Sequence, residues 1–260
     1  MADLEYTVED GVGTILLNRP EVKNAFTLDM VEAWAAALRS ARTDPDVRVV
    51  VLTGAGDAFC AGVDLSVLGD VGEEPLALKS MLMDRVHEVA RAVEDLSKPI
   101  IAAVNGVAVG AGMDMALMCD IRMLAQSARM SEGYIRVGLV PGDGGCYYLP
   151  RLVGMSKALE LLWTGDFVDA DEAVRIGLAR SAHPDVEFAS AYRAFAGRLA
   201  EQPPVNVAMI KRAAHQSAHT DLRTSLDLIS SHFAVVHGTK DSLEARRAFS
   251  ERRPPSFVGR

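Results

Sequence analysis

Two glycine-rich turns have the composition needed to bind negative charge through backbone amides. The first is GAGDAFCAGVDL at residues 54–65, and the second is NGVAVGAGMD at residues 105–114. Small residues let a ligand approach the main chain closely, and the start of a helix presents unpaired N–H groups with a partial positive charge. Two such turns that converge on one carbonyl oxygen would form an oxyanion hole, where the loss of one donor costs about 10²–10³ in rate.

The same two turns also fit ordinary strand-to-helix connections that carry no chemistry. A dinucleotide-binding turn is less well supported, because Gly110-Ala-Gly112 is followed by Asp114-Met115 where a third glycine is needed. The sequence contains no phosphate-binding GxxxxGK[ST] loop and no GxSxG elbow. The residue composition of the turns alone therefore leaves both anion binding by backbone amides and plain turn geometry open.

Two aspartates lie where they could transfer protons near the turns. Asp114 stands in the first turn of an apolar helix, and Asp143 lies between glycines in PGDGG. A carboxylate at a helix start gains about 0.3–1 kcal/mol from the helix dipole, and Asp is favoured in turns, so a structural role would explain each residue. Catalysis is the alternative for both. Glu132 is predicted to be exposed.

Three further residues have types that could bind metal or act as a nucleophile. His215 and His219 lie four apart on a helical run and share a face, which a metal ion could use. No third ligand has suitable spacing, so two solvated histidines are the simpler interpretation and we predict no metal site. Cys60 flanks the first turn without a supporting His or Asn, which favours a small packing residue.

Length, charge and cysteine usage restrict the class of protein. The 260 residues suit one large domain, or one domain with a helical appendage. The net charge of −8 argues against a nucleic-acid partner. Three scattered cysteines, an acidic N-terminal stretch unlike a secretory leader, and no apolar run near about 20 residues predict a cytoplasmic protein with no membrane partner.

Apolar, strand-like segments alternate with amphipathic helical ones in the first 150 residues. Residues 14–17 and 48–53 are predicted strands, and the helix predicted between them has Thr27 as its N-cap. Residues 80–97 are predicted as one amphipathic helix, and residues 100–110 as one buried strand that enters the second turn. Repeated strand–turn–helix order with apolar strands implies a parallel sheet flanked by helices, an α/β fold.

The last third of the chain is predicted to be mainly helical. Asp169-Ala-Asp-Glu172 resembles a capping box that opens one of these helices, and no further long strand is predicted. EQPPV at residues 201–205 is a short break between two helices. We therefore divide the chain into a core at residues 1–200 and a helical C-terminal region at residues 201–260.

Five segments, taken together and in order, resemble the crotonase superfamily, the enoyl-CoA hydratase/isomerase family. They are LNRPEVKNAF (17–26), GAGDAFCAGVDL (54–65), KPIIAAVNGVAVGAGMDMALMCD (98–120), VGLVPGDGG (137–145) and LLWTGDFVDADEAVRIGL (161–178). The resemblance implies a spiral of ββα units with a helical C-terminal trimerisation region, and hence a homotrimer or a dimer of trimers. It also implies an acyl-CoA thioester substrate, whose enolate is stabilised by two backbone N–H groups.

The resemblance also assigns roles to individual positions. The N–H groups of Val63 and Ala111 would form the oxyanion hole. The residues that would enclose coenzyme A are Lys23, Ala25, Ala61, Asp64 and Leu65. Lys23 would either bind a phosphate or remain a solvated lysine. Coenzyme A is expected as part of the substrate, and no separate cofactor is predicted.

The sequence departs from the hydratase pattern at both positions where family hydratases carry glutamate. These positions fall on Asp114 and Tyr134; the first is a shorter carboxylate, and the second is a poor base with a reference pKa of about 10. Moving a double bond needs only one base, which Asp143 with Asp114 could supply. We therefore expect enoyl-CoA isomerisation, with hydration, decarboxylation, thioester or C–C hydrolysis, or non-catalytic acyl-CoA binding as alternatives.

Overall fold

Six strands form the main sheet in the computed structural model, which describes residues 2–64, 67 and 74–260. In spatial order they are β1 (Leu4–Glu9), β2 (Val12–Leu17), β3 (Val49–Gly54), β5 (Ile100–Val104), β7 (Ile121–Ala125) and β10 (Ser181–His183). β1 pairs antiparallel with β2, and all other pairs are parallel. Every residue of β3 and β5 is buried, which explains their continuous apolar sequences, since helices cover both faces of a parallel sheet.

A second sheet contains four short strands in the described part of the chain. They are, in spatial order, β4 (Ala58–Cys60), β6 (Val107–Val109), β8 (Arg129–Ser131) and β9 (Val168–Asp169). Three times the chain passes from a main-sheet strand to a strand of this sheet and then into a helical segment. This repetition is the ββα spiral that the sequence resemblance predicted.

The single strand predicted for residues 100–110 is wrong, because the chain changes sheets at Asn105-Gly106. The Asn105 side-chain amide donates to the carbonyl oxygens of Gly56 and Ala58, each at 3.0 Å, and so holds the corner. Gly106 passes so close to β4 that a Cβ there would lie 2.0 Å from the Asp57 carbonyl oxygen. Tertiary contacts, not the apolar pattern of residues 100–110, determine where this strand ends.

Helices cover the sheets and form the last third of the chain. They are α1 (Leu28–Thr43), α2 (Pro75–Met81), α3 (His87–Glu94), α4 (Ala111–Leu117), α5 (Gly145–Val153), α6 (Met155–Thr164), α7 (Ala170–Arg175), α8 (Asp185–Ala200), α9 (Pro204–Ser217), α10 (Leu222–His237) and α11 (Lys240–Glu251). Two 3₁₀ turns lie at Pro20–Val22 and Gly133–Val137. The helix predicted for residues 80–97 is present, but the helical segment begins at Pro75 and ends at Glu94, and a π-helical turn at Leu82–Val86 joins α2 to α3.

Both predicted helix caps are confirmed. The Thr27 hydroxyl accepts the amide of Met30 at 3.3 Å at the start of α1. The Asp169 carboxylate accepts the amide of Glu172 at 2.9 Å at the start of α7. Side-chain oxygens thus satisfy backbone donors that have no acceptor inside a helix.

The C-terminal helices α9–α11 follow the break predicted after residue 200. α8 contacts strands of the main sheet, whereas many large apolar side chains of α9–α11 are exposed, among them Ile210, Leu226 and Phe233. Asp241 of α11 is fully buried, and its carboxylate accepts the amides of Val258 and Gly259 at 2.7 and 2.8 Å. The division of the chain into two domains stays a prediction. No helix in the described residues combines the length and apolarity that a membrane span requires.

The start of α4 lies directly against β4, and Gly112 makes this approach possible. A Cβ at Gly112 would lie 2.1 Å from the carbonyl oxygen of Cys60, so Gly112→Ala forces the helix away from the strand. We expect the free energy of unfolding to fall by about 1–3 kcal/mol or more, measured by denaturant unfolding. Gly197→Ala in α8 is the control, because nothing lies within 4 Å of that position and alanine favours a helix interior. Equal stability of both variants would contradict the tight approach.

Candidate active site

The first glycine-rich turn is fixed by pairing with the segment that ends at Phe26. The Phe26 amide donates to the Gly62 carbonyl at 2.9 Å, and the Asp64 amide donates to the Phe26 carbonyl at 2.9 Å. These two bonds make a parallel bridge between Phe26 and Val63 in which Phe26 supplies both bonding groups. The Val63 N–H therefore faces away from Phe26, towards the opposite side of the turn.

The second turn places the start of α4 beside the first. Gly110 precedes the helix with a φ of +52°, a conformation that glycine adopts without strain. Ala111 is the first residue of α4, so its N–H is one of the amides for which the helix has no acceptor. A Cβ on Gly62 would lie 3.6 Å from the Ala111 nitrogen. The structure thus brings the two turns together, as the family resemblance implies.

Residues 19–26 form the rim next to the first turn. The buried Asn24 amide donates to the carbonyl oxygens of Ala55 and Ala58 at 2.9 and 2.8 Å, which fixes the path of this segment. Arg19, which the sequence analysis did not single out, donates to the Ala25 carbonyl at 2.7 Å and to the Asp64 carboxylate at 2.9 Å. Ala25 and Asp64, two of the residues predicted to enclose coenzyme A, are therefore held together by one guanidinium.

Lys23 and Ala61, also predicted to enclose coenzyme A, lie on the same rim. The Ala61 amide donates to the Lys23 carbonyl at 2.9 Å. The Lys23 ammonium pairs with the Asp57 carboxylate at 2.6 Å, and the two side chains are 53% and 76% exposed. Such an exposed ion pair contributes about 0–1 kcal/mol, so an anionic ligand can displace Asp57 at little cost. Leu65, the fifth predicted residue, lies outside the described residues.

Three predicted side chains meet below the second turn. Asp114 comes from α4, Tyr134 from the 3₁₀ turn Gly133–Val137, and Asp143 from the loop before α5. The Tyr134 hydroxyl lies 2.6 Å from Asp114 Oδ2 and 3.2 Å from Asp143 Oδ2. The Asp143 amide also donates to Asp114 Oδ2 at 3.2 Å. One phenol therefore bridges two carboxyl groups, and the Tyr134 ring lies against Gly110 at the start of α4.

Glu132 is part of this cluster, and the expectation that it is exposed is wrong. Its side chain is 1% exposed, and neither carboxyl oxygen has a hydrogen-bond donor among the described residues. Glu132 directly follows β8, and its carboxyl group lies next to Gly145, the first residue of α5. No local pattern separates it from an exposed glutamate, because its neighbours Asp114 and Gly145 are distant in sequence.

Burial determines the protonation of the four acidic groups in this acid cluster, defined here as Asp114, Glu132, Tyr134 and Asp143. Desolvation raises the pKa of Asp114 to about 7, and donors on its carboxylate oppose that rise. Desolvation and the nearby aspartates raise the pKa of Glu132 to about 10. Burial also raises the pKa values of Asp143 and Tyr134. At neutral pH the cluster therefore holds protons that exposed carboxyl groups would release.

His87 holds the loop that carries Asp143. It is the first residue of α3, directly after the π-helical turn, and its Nε2 lies 2.8 Å from the Gly142 carbonyl oxygen. The imidazole also lowers the pKa of Asp143 by its charge, against the larger effect of burial. π-helical turns often occur at functional sites. No local feature of the sequence indicates that His87 belongs to the site, because the loop it contacts is more than 50 residues away.

Comparison with known proteins identifies the family of this chain. The sequence profile described as enoyl-CoA hydratase/isomerase matches residues 7–260. The chain belongs to the enoyl-CoA hydratase/isomerase family. It is 39% identical over 257 residues to a protein of Rhodobacter capsulatus named probable enoyl-CoA hydratase, with 99% of this chain and 98% of that protein covered.

Two further comparisons extend this result within the family. The chain is 35% identical over 254 residues to the 1,2-epoxyphenylacetyl-CoA isomerase of Escherichia coli, with 97% of both chains covered. It superposes on the crystal structure of a protein from Mycobacterium abscessus described as a putative enoyl-CoA hydratase/isomerase, with a TM-score of 0.94 and 32% identity over 99% of this chain and 100% of that one. The fold is thus the crotonase fold, including its helical C-terminal region.

The remaining sequence candidates do not form a second site for this family member. His215 lies 3.3 Å from an Asp120 oxygen, and His219 lies 3.2 Å from the Tyr147 hydroxyl, so each has a separate partner. The described residues contain no group of three side chains placed to hold a metal ion. Cys60 is buried, and its burial raises the thiol pKa to about 12, in agreement with a packing role.

Gly145 leaves the space in which the carboxyl groups of the acid cluster meet. A Cβ on Gly145 would lie 2.5 Å from Asp114 Oδ1 and 2.7 Å from Glu132 Oε1, so Gly145→Ala displaces both. We expect turnover of an enoyl-CoA to fall at least about tenfold, because the displaced carboxyl groups lose their alignment. Gly142→Ala in the same loop is the control, since its Cβ would make only ordinary contacts at 3.7–3.8 Å with Leu82. Equal loss in both variants would contradict a specific effect on the carboxyl groups.

The raised pKa values predict how stability depends on pH. Asp114 and Glu132 have folded pKa values of about 7 and about 10, whereas an unfolded chain releases these protons near pH 4. Between about pH 4 and these raised values, the folded state binds more protons than the unfolded chain. The free energy of unfolding therefore falls as pH rises through this range. We expect Asp114→Asn to gain stability relative to the wild type between about pH 5 and pH 8.

Thermal unfolding at a series of pH values measures this effect as a difference in Tm. The Tm of Asp114→Asn minus that of the wild type should increase with pH. Asp227→Asn, an exposed substitution on α10, should show no such trend. A difference for Asp114→Asn that stays constant with pH would show that the carboxyl group has an ordinary pKa in the folded state.

Proposed function

We propose that the protein adds water to the double bond of a 2-enoyl-CoA thioester. The observation that carries the proposal is the bridge from Asp114 through Tyr134 to Asp143, directly below the start of α4. Hydration needs a base that activates water and an acid that protonates C2. The two aspartates provide such a pair in place of the two glutamates missing from the sequence. The name of the Rhodobacter capsulatus relative supports the same reaction.

Asp114 is the base in this mechanism, and Asp143 is the acid. The Tyr134 hydroxyl and the Asp143 amide both donate to Asp114 Oδ2, which favours the ionised form of Asp114. Asp143 Oδ1 has no hydrogen-bond partner among the described residues, so the Asp143 carboxyl has a free oxygen for a transferable proton. Burial raises the pKa of Asp143 and keeps that proton bound nearer to neutral pH.

The reaction then proceeds with a complete proton balance. Asp114 accepts a proton from water as the water oxygen bonds to C3 of the substrate. The electrons of the double bond move towards the thioester, whose oxygen accepts the N–H groups of Val63 and Ala111. Asp143 donates its proton to C2 and becomes ionised. Tyr134, in contact with both carboxyl groups, passes the proton from Asp114 back to Asp143 and restores the starting state.

Double-bond isomerisation, which the sequence analysis favoured, is the second candidate. Asp143 lies beside the base in the loop of residues 141–145, and one base that removes a proton from C2 and returns it to C4 is sufficient. Similarity to the Escherichia coli isomerase supports this alternative. Hydration ranks first because the structure offers two bridged carboxyl groups, whereas isomerisation requires only one.

The assembly belongs to this proposal as well. We infer a homotrimer or a dimer of trimers, and the exposed apolar side chains of α9–α11 support burial of this region between subunits. The cytoplasmic location stays a prediction from cysteine usage.

Ultraviolet spectroscopy with 2-enoyl-CoA and 3-enoyl-CoA in separate cuvettes tests the reaction. Loss of conjugated absorbance from the 2-enoyl-CoA is the expected result, and conjugation appearing from the 3-enoyl-CoA would indicate isomerisation instead. We expect Asp114→Asn and Asp143→Asn each to lower kcat by about 10²–10⁴, as for the loss of a general base or acid. Asp227→Asn on α10 is the matched control.

Two outcomes would overturn the proposal. Undiminished hydration by Asp143→Asn would show that another group protonates C2. Absence of turnover at several chain lengths, together with measurable binding of the CoA ester, would indicate a non-catalytic acyl-CoA-binding protein.

A further inference from the structure

The proposed mechanism leaves Glu132 without a role, although this glutamate is buried within the acid cluster. Its side chain is 1% exposed, and neither of its oxygens has a donor among the described residues. An ionised carboxylate in such surroundings would lose its hydration without replacement. We therefore expect the Glu132 carboxyl group to carry a proton, with which it can donate a hydrogen bond.

The position of Gly145 shows where the Glu132 carboxyl group points. The Cβ position of Gly145 lies 2.5 Å from Asp114 Oδ1, 2.7 Å from Glu132 Oε1 and 2.8 Å from Glu132 Oε2. The Glu132 carboxyl group thus faces the same small space as one oxygen of Asp114. That oxygen also has no donor among the described residues.

We propose that Glu132 is a neutral acid whose O–H donates to Asp114 Oδ1, and that it acts as a positioning residue for the catalytic base. A single proton then satisfies two buried groups that otherwise lack partners. Asp114 would accept three hydrogen bonds, from the Tyr134 hydroxyl and the Asp143 amide on Oδ2 and from Glu132 on Oδ1. The catalytic part of this inference rests on the proposed function, whereas the position of the proton does not.

The charges around Glu132 favour its neutral form. Asp114 and Asp143 both raise the pKa of Glu132, in addition to the effect of its burial. Cys146 at the start of α5 is exposed but near enough for the charges of Glu132 and Asp114 to raise its pKa, and His87 of α3 acts on Asp143 by its charge. No lysine or arginine forms an ion pair with Glu132 within the described ranges.

A donor on Asp114 has a direct kinetic consequence. A hydrogen bond to the ionised form of an acid lowers its pKa, so Glu132 keeps Asp114 available as a base at neutral pH. Without this donor, Asp114 would remain protonated to higher pH. The enzyme would then need more alkaline conditions to reach its maximal rate, whereas a purely structural role for Glu132 would not shift the pH profile.

Glu132→Gln and Glu132→Ala separate these two roles. The amide of Gln keeps a donor to Asp114 without a titrating proton, so we expect kcat within about threefold of the wild type. Ala removes the donor, and we expect kcat at pH 7 to fall about tenfold and the acidic limb of kcat/KM to move up by about one pH unit. Rates of Glu132→Ala should recover towards pH 9. Equal impairment of both variants, or an unmoved acidic limb in Glu132→Ala, would overturn the positioning role.

Infrared spectroscopy without substrate tests the proton itself. At pH 8 the wild-type protein should show C=O absorption of neutral carboxylic acids, and Glu132→Gln should lose a component that Asp143→Asn retains. The exposed Glu201→Gln serves as the control and should retain this component. Retention of this component in Glu132→Gln, with loss in Asp114→Asn, would place the proton on Asp114 and overturn the inference. A protein that turns over no enoyl-CoA but passes this test would refute the proposed function alone.

Discussion

The close approach of α4 to β4 is the contact on which the site depends. Gly112 lies against the backbone of Cys60, and this contact brings the Ala111 amide next to the turn that carries Val63. The same helix carries Asp114 one turn further on. In the proposed mechanism, the position of this one short helix therefore sets both the place where negative charge is stabilised and the place where a proton is transferred. This coupling explains why a charged residue lies near the start of a helix whose side chains are otherwise apolar and buried.

Burial of the acid cluster gives these groups their chemistry and costs stability. Asp114, Glu132 and Asp143 are buried without an ion pair to lysine or arginine among the described residues, and each pKa is raised. Near neutral pH this allows ionised and protonated carboxyl groups to coexist, as acid–base catalysis requires. Desolvation destabilises the ionised forms, so it lowers the free energy of unfolding least at a pH where all three groups are protonated. In the proposed mechanism, the pH at which the base is ionised is therefore higher than the pH at which burial of these groups costs least stability.

The sequence predicted most of the fold and several of the side chains that meet in the candidate site, because both follow from short, ordered segments. Small residues identified the two turns, and the resemblance of five segments correctly assigned the family and its ββα spiral. Glu132 and His87 were not recognised, since their partners are distant in sequence and no local period marks them. The strand break at Asn105-Gly106 was missed for the same reason: the side chain that causes it binds the backbone of β4 and its preceding turn.

The buried carboxyl group of Asp241 makes residues 258 and 259 important for the stability of the C-terminal helices. Terminal segments are normally expendable, yet the amides of Val258 and Gly259 are the donors for this group, and the Arg48 guanidinium donates to the Phe257 carbonyl at 3.3 Å. Loss of residues 257–259 would therefore leave the buried Asp241 carboxyl group at the start of α11 without its two backbone donors.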